Sequence, residues 1–293
     1  MIRTRCHMLA ILLLATPVAM GVLTQAKTTS PDADATLRAF GVEINVDDMD
    51  TALAFYTRKL GFETEDRSGY PGFVILQSGD SEKLILNRVR KLRSESPLDT
   101  GLSFTLQVND LDETIARMKT LGVEFAEAQP RKEAVGNAIS IKDPFGRRIS
   151  LMHQTIVKVE PFKEPKLYNF GFNLPDLPAG RDFYANKLGF VVRSERYLPL
   201  DLPLGHADKS FAFMLHTRPG IIAIKSDYPN SVAFNTAVFS TPDLAATVSR
   251  LQINGVKIVG PVQHNQRGDF VMIEDPFGNV SKLQEIKSSG HVE

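Results

Sequence analysis

The sequence predicts an α+β protein of four βαβββ units, paired into two domains with curved mixed sheets. Two repeated markers and one recurring order of patterns carry that expectation. Phe55-Tyr56-Thr57-Arg58-Lys59-Leu60-Gly61-Phe62 returns as Phe183-Tyr184-Ala185-Asn186-Lys187-Leu188-Gly189-Phe190. Asp143-Pro144-Phe145-Gly146 returns as Asp275-Pro276-Phe277-Gly278. Both recur in the same order at an offset of about 130 residues, the mark of a tandem duplication. Around each copy runs one succession: an alternating segment, an Asp, an amphipathic stretch stopped by Gly, then further alternating segments.

In the first unit, Val42, Ile44 and Val46 alternate with Gly41, Glu43 and Asn45, the period of a strand with one buried face. Asp48 is placed to cap the next helix, whose stripe is Met49, Leu53, Tyr56 and Leu60 and whose stop is Gly61. Strands are expected at 73–77 and 83–87. The second unit repeats this with Leu102, Phe104, Leu106 and Val108, then Asp110 and Glu113 as a capping box, and strands at 138–141 and 148–153. Asp-Pro-Phe-Gly between those strands has turn chemistry, with Pro second and Gly fourth. The third unit opens with Tyr168, Phe170, Phe172 and Leu174, and Asp176 caps a helix ending at Gly189. Residues 198–208 are rich in Pro and Gly and read as a loop or lid, with strands expected at 211–216 and 221–225. The fourth has a strand around 232–239, a helix over 243–254 and closing strands near 270–274 and 280–286. In every unit a polar-alternating face turns away from the helix, so it must line a cavity or meet a partner.

The domain reading is therefore 1–26 signal peptide, 27–37 polar leader, 38–155 first domain, 156–165 linker, 166–287 second domain and 288–293 tail. The start is short and cationic, an apolar run from Met8 to Leu23 follows, and Ala26 precedes a polar stretch, so the segment reads as a secretory signal. The mature protein is then periplasmic or secreted, without stable membrane insertion. Cys6, the one cysteine in 293 residues, lies in that segment, which leaves no thiol nucleophile, thiolate ligand or disulfide. Lys+Arg and Asp+Glu are both 34, and zero net charge argues against nucleic acid as a partner.

The Asp48…Phe55-Tyr56…Leu60-Gly61-Phe62 and Asp176…Phe183-Tyr184…Leu188-Gly189-Phe190 signatures, with both Asp-Pro-Phe-Gly turns, resemble the vicinal oxygen chelate (VOC) superfamily. That family includes glyoxalase I, extradiol dioxygenases, fosfomycin-resistance transferases and bleomycin-resistance proteins. The resemblance spans about residues 38–287 and implies paired units forming a U-shaped cavity. It also implies where metal-using members carry His and Glu ligands, at the start of each unit's first strand and on the closing strand. Counted here, those slots fall on Gly41, Ser103 and Ser150, and on Asn169, Ala233 or Asn235, and Lys282. None is His, Asp or Glu, so neither usual site suits a divalent transition metal, and no cofactor is expected.

The leading expectation is a metal-free protein holding a small apolar or aromatic molecule in such a cavity, as bleomycin-resistance proteins do by sequestration. Asn45, Ser103, Gln107, Asn169, Asn173, His216, Lys282 and Gln284 are the candidate ligand-binding residues. Tyr197, Phe211 and Phe213, beside the Pro-rich stretch, are candidate walls for an apolar ligand. The alternative is an enzyme of the glyoxalase or dioxygenase type. It would use a metal-free acid/base site around Glu43 or a metal relocated to His206, His216 and His264. A third reading is a module docking a protein partner on a sheet face, and a homodimer stays open.

Overall fold

The computed structural model describes residues 37–77, 83–93, 101–156, 159–208 and 210–286. The expected signal peptide, the leader before residue 37 and the tail lie outside these residues. Among the described residues no helix is long and apolar enough to cross a membrane.

Each of the four units has one helix start capped by an aspartate. The first unit comprises β1 (Arg38–Val46), α1 (Met49–Leu53) continued by a π-helical segment (Ala54–Lys59), β2 (Glu63–Asp66), β3 (Phe73–Gln77) and β4 (Lys83–Arg88). The second comprises β5 (Gly101–Gln107), α2 (Leu111–Thr120), β6 (Glu124–Phe125), β7 (Arg131–Glu133), β8 (Gly136–Lys142) and β9 (Arg148–Gln154). The third has β10 (Lys166–Asn173), α3 (Leu177–Arg181) with its π-helical continuation (Asp182–Lys187), β11 (Val191–Val192), β12 (Asp201–Gly205) and β13 (Phe211–His216). The fourth has β14 (Asn235–Thr241), α4 (Leu244–Ile253), β15 (Lys257–Asn265), β16 (Gly268–Glu274) and β17 (Val280–Glu285). Asp48, Asp110, Asp176 and Asp243 each accept a backbone N–H of the first helical turn, satisfying donors the helix leaves orphaned.

The sheets do not follow the halves of the sequence. One sheet runs β15-β16-β17-β14-β1-β4-β3-β2 and joins the first unit to the fourth. The other runs β11-β12-β13-β10-β5-β9-β8-β6, with β7 on β8, and joins the second unit to the third. The seams are antiparallel, β1 on β14 and β5 on β10. Val42, Ile44 and Val46 on β1 and Phe104 and Leu106 on β5 are buried on the helix-bearing faces, in one continuous apolar core. Phe190 and Phe213 of the third unit pack on Phe239 of the fourth at 5.2 and 5.6 Å, so that core runs across both sheets.

The two sequence markers touch each other. Tyr56 donates its hydroxyl to Asp143 Oδ2 at 3.1 Å, and Tyr184 does the same to Asp275 at 2.9 Å. The other carboxylate oxygen holds the turn, accepting from Phe145 and Arg147 N–H in one copy and from Phe277 and Asn279 in the other. Gly146 and Gly278 have φ of 84° and 88°, which only the fourth-position glycine adopts without strain. Burial pushes both tyrosine pKa values well up, so these hydroxyls stay protonated donors.

Two local expectations need correcting. Residues 201–205 are strand β12 rather than lid, because Leu202 and Leu204 alternate into the core while the Pro203 carbonyl accepts Arg193 N–H at 2.9 Å. Residues 221–225 form no strand; Ile224 donates to Phe277 O at 3.1 Å and lies against the second Asp-Pro-Phe-Gly turn. Between the second and third units, Asn109 exchanges hydrogen bonds with the Phe162 backbone.

Candidate functional site

Opposite the helices, the two sheets present equivalent faces with opposite contents. On the β1/β14 sheet, Glu43 accepts from Lys282 Nζ at 2.5 Å, and Arg267 approaches the same carboxylate at 3.8 Å. Both partners of the Glu43–Lys282 pair are almost wholly buried. Phe40, Phe73, Ile75, Ile85 and Val238 fill the space around them, and Arg267 lies over the rings of Phe40 and Phe73. Burial pulls the Arg267 pKa down, against the opposing pull of Glu43 and Asp66. This face is plugged by its own side chains.

That result moves four candidates out of any cleft. Glu43 is an ion-pair partner rather than a free base. Lys282 is spent on it, and Gln284 is fully buried, donating to Asp269 O. Asn45 is fully buried too, donating to Thr236 Oγ1 at 2.8 Å and accepting from Asn87. The slot register also changes. Val238, not Ala233 or Asn235, is the β14 partner of both Gly41 and Lys282. Asn235 turns the other way and donates to Leu102 O of β5.

On the β5/β10 sheet the same face opens into a cleft of about 980 Å³. The repeat explains the difference. Counted at the offset that separates Tyr56 from Tyr184, Glu43 becomes Gly171; counted at the offset that separates Asp143 from Asp275, Lys282 becomes Ser150. The two ends of the plug are thus a glycine and a serine. The floor carries Ser103, Thr105, Asn169, Asn173 and Ser150; the walls include Tyr168, Tyr197, Phe211, Met152 and Met214. A bulge between Leu167 and Asn169 accommodates Tyr168, as one between Ala39 and Gly41 accommodates Phe40 in the plug. Phe213 is core, not wall, fully buried and stacked on Phe170.

Polar groups converge on this space. His216 Nδ1 lies 2.8 Å from Asp201 Oδ1, and Arg218 Nη1 donates to the same oxygen at 2.9 Å. Burial works against the Asp201 charge, but His216 and Arg218 outweigh it and hold its carboxyl below the ordinary range. Arg131 reaches in from β7, donating to Ser140 Oγ and Ser150 Oγ at 3.2 Å while paired with Glu127 and Glu133. Gln107 does not line the cleft; it donates to Gln154, which donates to Tyr168 Oη at 2.7 Å and fixes that ring.

Of the sequence candidates, then, Ser103, Asn169, Asn173 and His216 come together, while Glu43, Asn45, Lys282 and Gln284 lie in the plug. Sequence reasoning missed Asp201, Arg131 and Arg218. The Pro-rich context hid Asp201, and no local pattern announces the two arginines.

The donor set does not fit a divalent transition metal. Ser103, Ser150 and Asn169 offer neutral oxygens and an amide, and the Arg131 guanidinium on Ser150 repels a cation. Among the described residues no group of three or more His, Cys, Asp or Glu is placed to hold one. His206, His216 and His264 stand apart, bonded to Ser210, Asp201 and Asp269 respectively.

The chain belongs to the Glyoxalase/Bleomycin resistance protein/Dioxygenase superfamily, whose family profile matches residues 38–151 and 167–283. Among solved structures it is similar to glyoxalase I from Zea mays, at 18% identity and TM-score 0.63 over 85% of this chain and 92% of that one. It is also similar to a putative dioxygenase from Bacillus subtilis, at 12% identity and TM-score 0.59 over 86% of each chain. At such identities the likeness is one of fold. A sequence search among curated proteins found no match.

Proposed function

We propose that this chain is a metal-free binding protein that holds a small, partly aromatic molecule in the cleft of the β5/β10 sheet. The observation that carries the reading is the asymmetry of the two faces. One is filled by the Glu43–Lys282–Arg267 plug, and its counterpart keeps an aromatic-walled volume of about 980 Å³ with a polar floor. That size and mixture suit a ligand site, where apolar walls supply affinity and a few polar groups set orientation.

Metal analysis and a ligand panel test it together. Purified protein should carry no stoichiometric transition metal. Small aromatic compounds should raise its melting temperature, and Ser103→Trp, which fills the floor, should abolish that rise. One tightly held iron, zinc or nickel per chain overturns the metal-free reading; a rise unaffected by Ser103→Trp overturns the site. The cationic start and apolar run of the first 26 residues support export. Periplasmic or secreted protein beginning at Lys27 is the expected result, and a retained Met1 on the recovered protein overturns it.

A further inference from the structure

The plugged sheet serves as an internal control for His216. There, β4 residue Asn87 pairs with Asn45 and Phe73, just as β13 residue His216 pairs with Asn173 and Asp201. Asn87 and Phe73 therefore occupy the positions of His216 and Asp201, and the imidazole–carboxylate pair belongs to the open face alone. Asp201 is held ionised by its two partners, and an ionised carboxylate only accepts, so the His216 ring proton sits on Nδ1. In the neutral ring the lone pair then lies on Nε2, and no described residue offers it a hydrogen bond. A side chain at Gly171 would meet Nε2 at 2.5 Å, so the ring covers that glycine, between floor residues Asn169 and Asn173. A base oriented by a carboxylate, with its second nitrogen free beside a cavity, is arranged to receive a proton.

We propose that the Asp201–His216 pair is the proton acceptor for a cleft ligand carrying an acidic hydroxyl, a phenol or an enol. This rests on the cleft being the working site. The ligand O–H bond breaks, its proton joins Nε2, and the electron pair stays on the ligand oxygen. The imidazolium charge is met by Asp201 on one side and by the new oxyanion on the other, with Ser103, Asn169 and Asn173 around it. No redox partner is required. A carboxylic acid is already ionised at neutral pH and needs no base. An ammonium ligand would bring an unmatched charge, because Arg131, Arg148 and Arg218 are already paired with Glu127, Glu133 and Asp201. Flat ligands suit walls made by Tyr168, Tyr197 and Phe211.

Nitrophenols test this on the full chain, because their anions absorb visible light. Calorimetry reads binding and absorbance reads ionisation, at a pH below the free phenol's pKa. Wild type should bind the phenol and display its anion band. His216→Gln should still bind but lower the bound anion-to-neutral ratio about tenfold, equivalent to one pKa unit. Asp201→Asn should lower it less. If neither variant folds, imidazole nitrogen NMR of the wild type decides, since Nε2 should gain a proton on binding. A bound phenol that stays neutral, a bound anion-to-neutral ratio unchanged in His216→Gln, or an Nε2 without a new proton overturns the dyad and leaves the cleft reading standing. No saturable binding by any nitrophenol overturns the ligand class, and if Ser103→Trp is also silent across the aromatic panel, the cleft reading falls as well.

Discussion

Neutralising Glu43 would leave Lys282 and Arg267 facing one another in a space closed to water. Removing one partner of a buried ion pair costs about 3–5 kcal/mol, because the remaining charge keeps its desolvation penalty. Glu43→Gln should therefore lower stability by about 3 kcal/mol in chemical denaturation while leaving aromatic-ligand affinity unchanged. Lost affinity at full stability would instead make Glu43 part of the site. His206 offers a test in pH. It follows β12, and its Nε2 accepts the Ala39 N–H of β1 at 2.9 Å while Nδ1 meets Ser210. Burial, then Arg38, pulls its pKa down, outweighing Asp208. The folded state thus favours the neutral ring, and below about pH 6.5 the unfolded chain binds the proton first. The stability this group contributes is complete above that value and is lost as pH falls toward the folded-state pKa. Melting temperature should drop more between about pH 7.5 and 5.5 in wild type than in His206→Gln, whose amide oxygen still accepts from Ala39. Equal drops would remove His206 as the cause.

Whether a sheet face is open or shut is decided by few positions. Gly171→Glu, Ser150→Lys and His216→Asn together rebuild in β10, β9 and β13 the set Glu43, Lys282 and Asn87. A Cβ at Gly171 also meets Met214 O at 2.9 Å, so the combined variant should fold with reduced stability and lose aromatic-ligand affinity by about tenfold or more, roughly 1.4 kcal/mol. Undiminished calorimetric affinity would place the ligand elsewhere. At this scale the sequence was legible wherever the cause was local. Aspartate caps, the Met49–Leu60 stripe and the Asp-Pro-Phe-Gly turns each act within a few residues, and all appear as expected. Opening and closure were hidden, because Glu43 and Lys282 lie far apart in the chain and meet only once β1, β14 and β17 are aligned. Asp201 and His216 were obscured differently. Their pairing needs the antiparallel register of β12 and β13, and the prolines around β12 made that strand read as loop.

The exchange of units between sheets makes the two sequence halves mutually dependent. Within one half, β1 and β5 each end at a bare edge, with hydrogen-bonding groups that the intact chain satisfies through β14 and β10. Arg147, buried to all but 2% of its side chain, ties the arrangement further. It belongs to the second unit, bonds Asp143 and Tyr56, and donates to Asn45 O of the first unit and Phe234 O before β14. Joining the halves in one chain raises the effective concentration of each for the other. Separate fragments covering residues 27–156 and 157–293 should therefore self-associate or aggregate when expressed alone, each pairing its bare edges with a second copy. Mixed after co-refolding, they should give a one-to-one complex with the melting behaviour of the whole chain, only now dependent on concentration. Size-exclusion chromatography with light scattering decides the matter. A half that runs as a stable, folded monomer would mean that its strands complete a sheet alone, which the β1–β14 and β5–β10 seams do not allow.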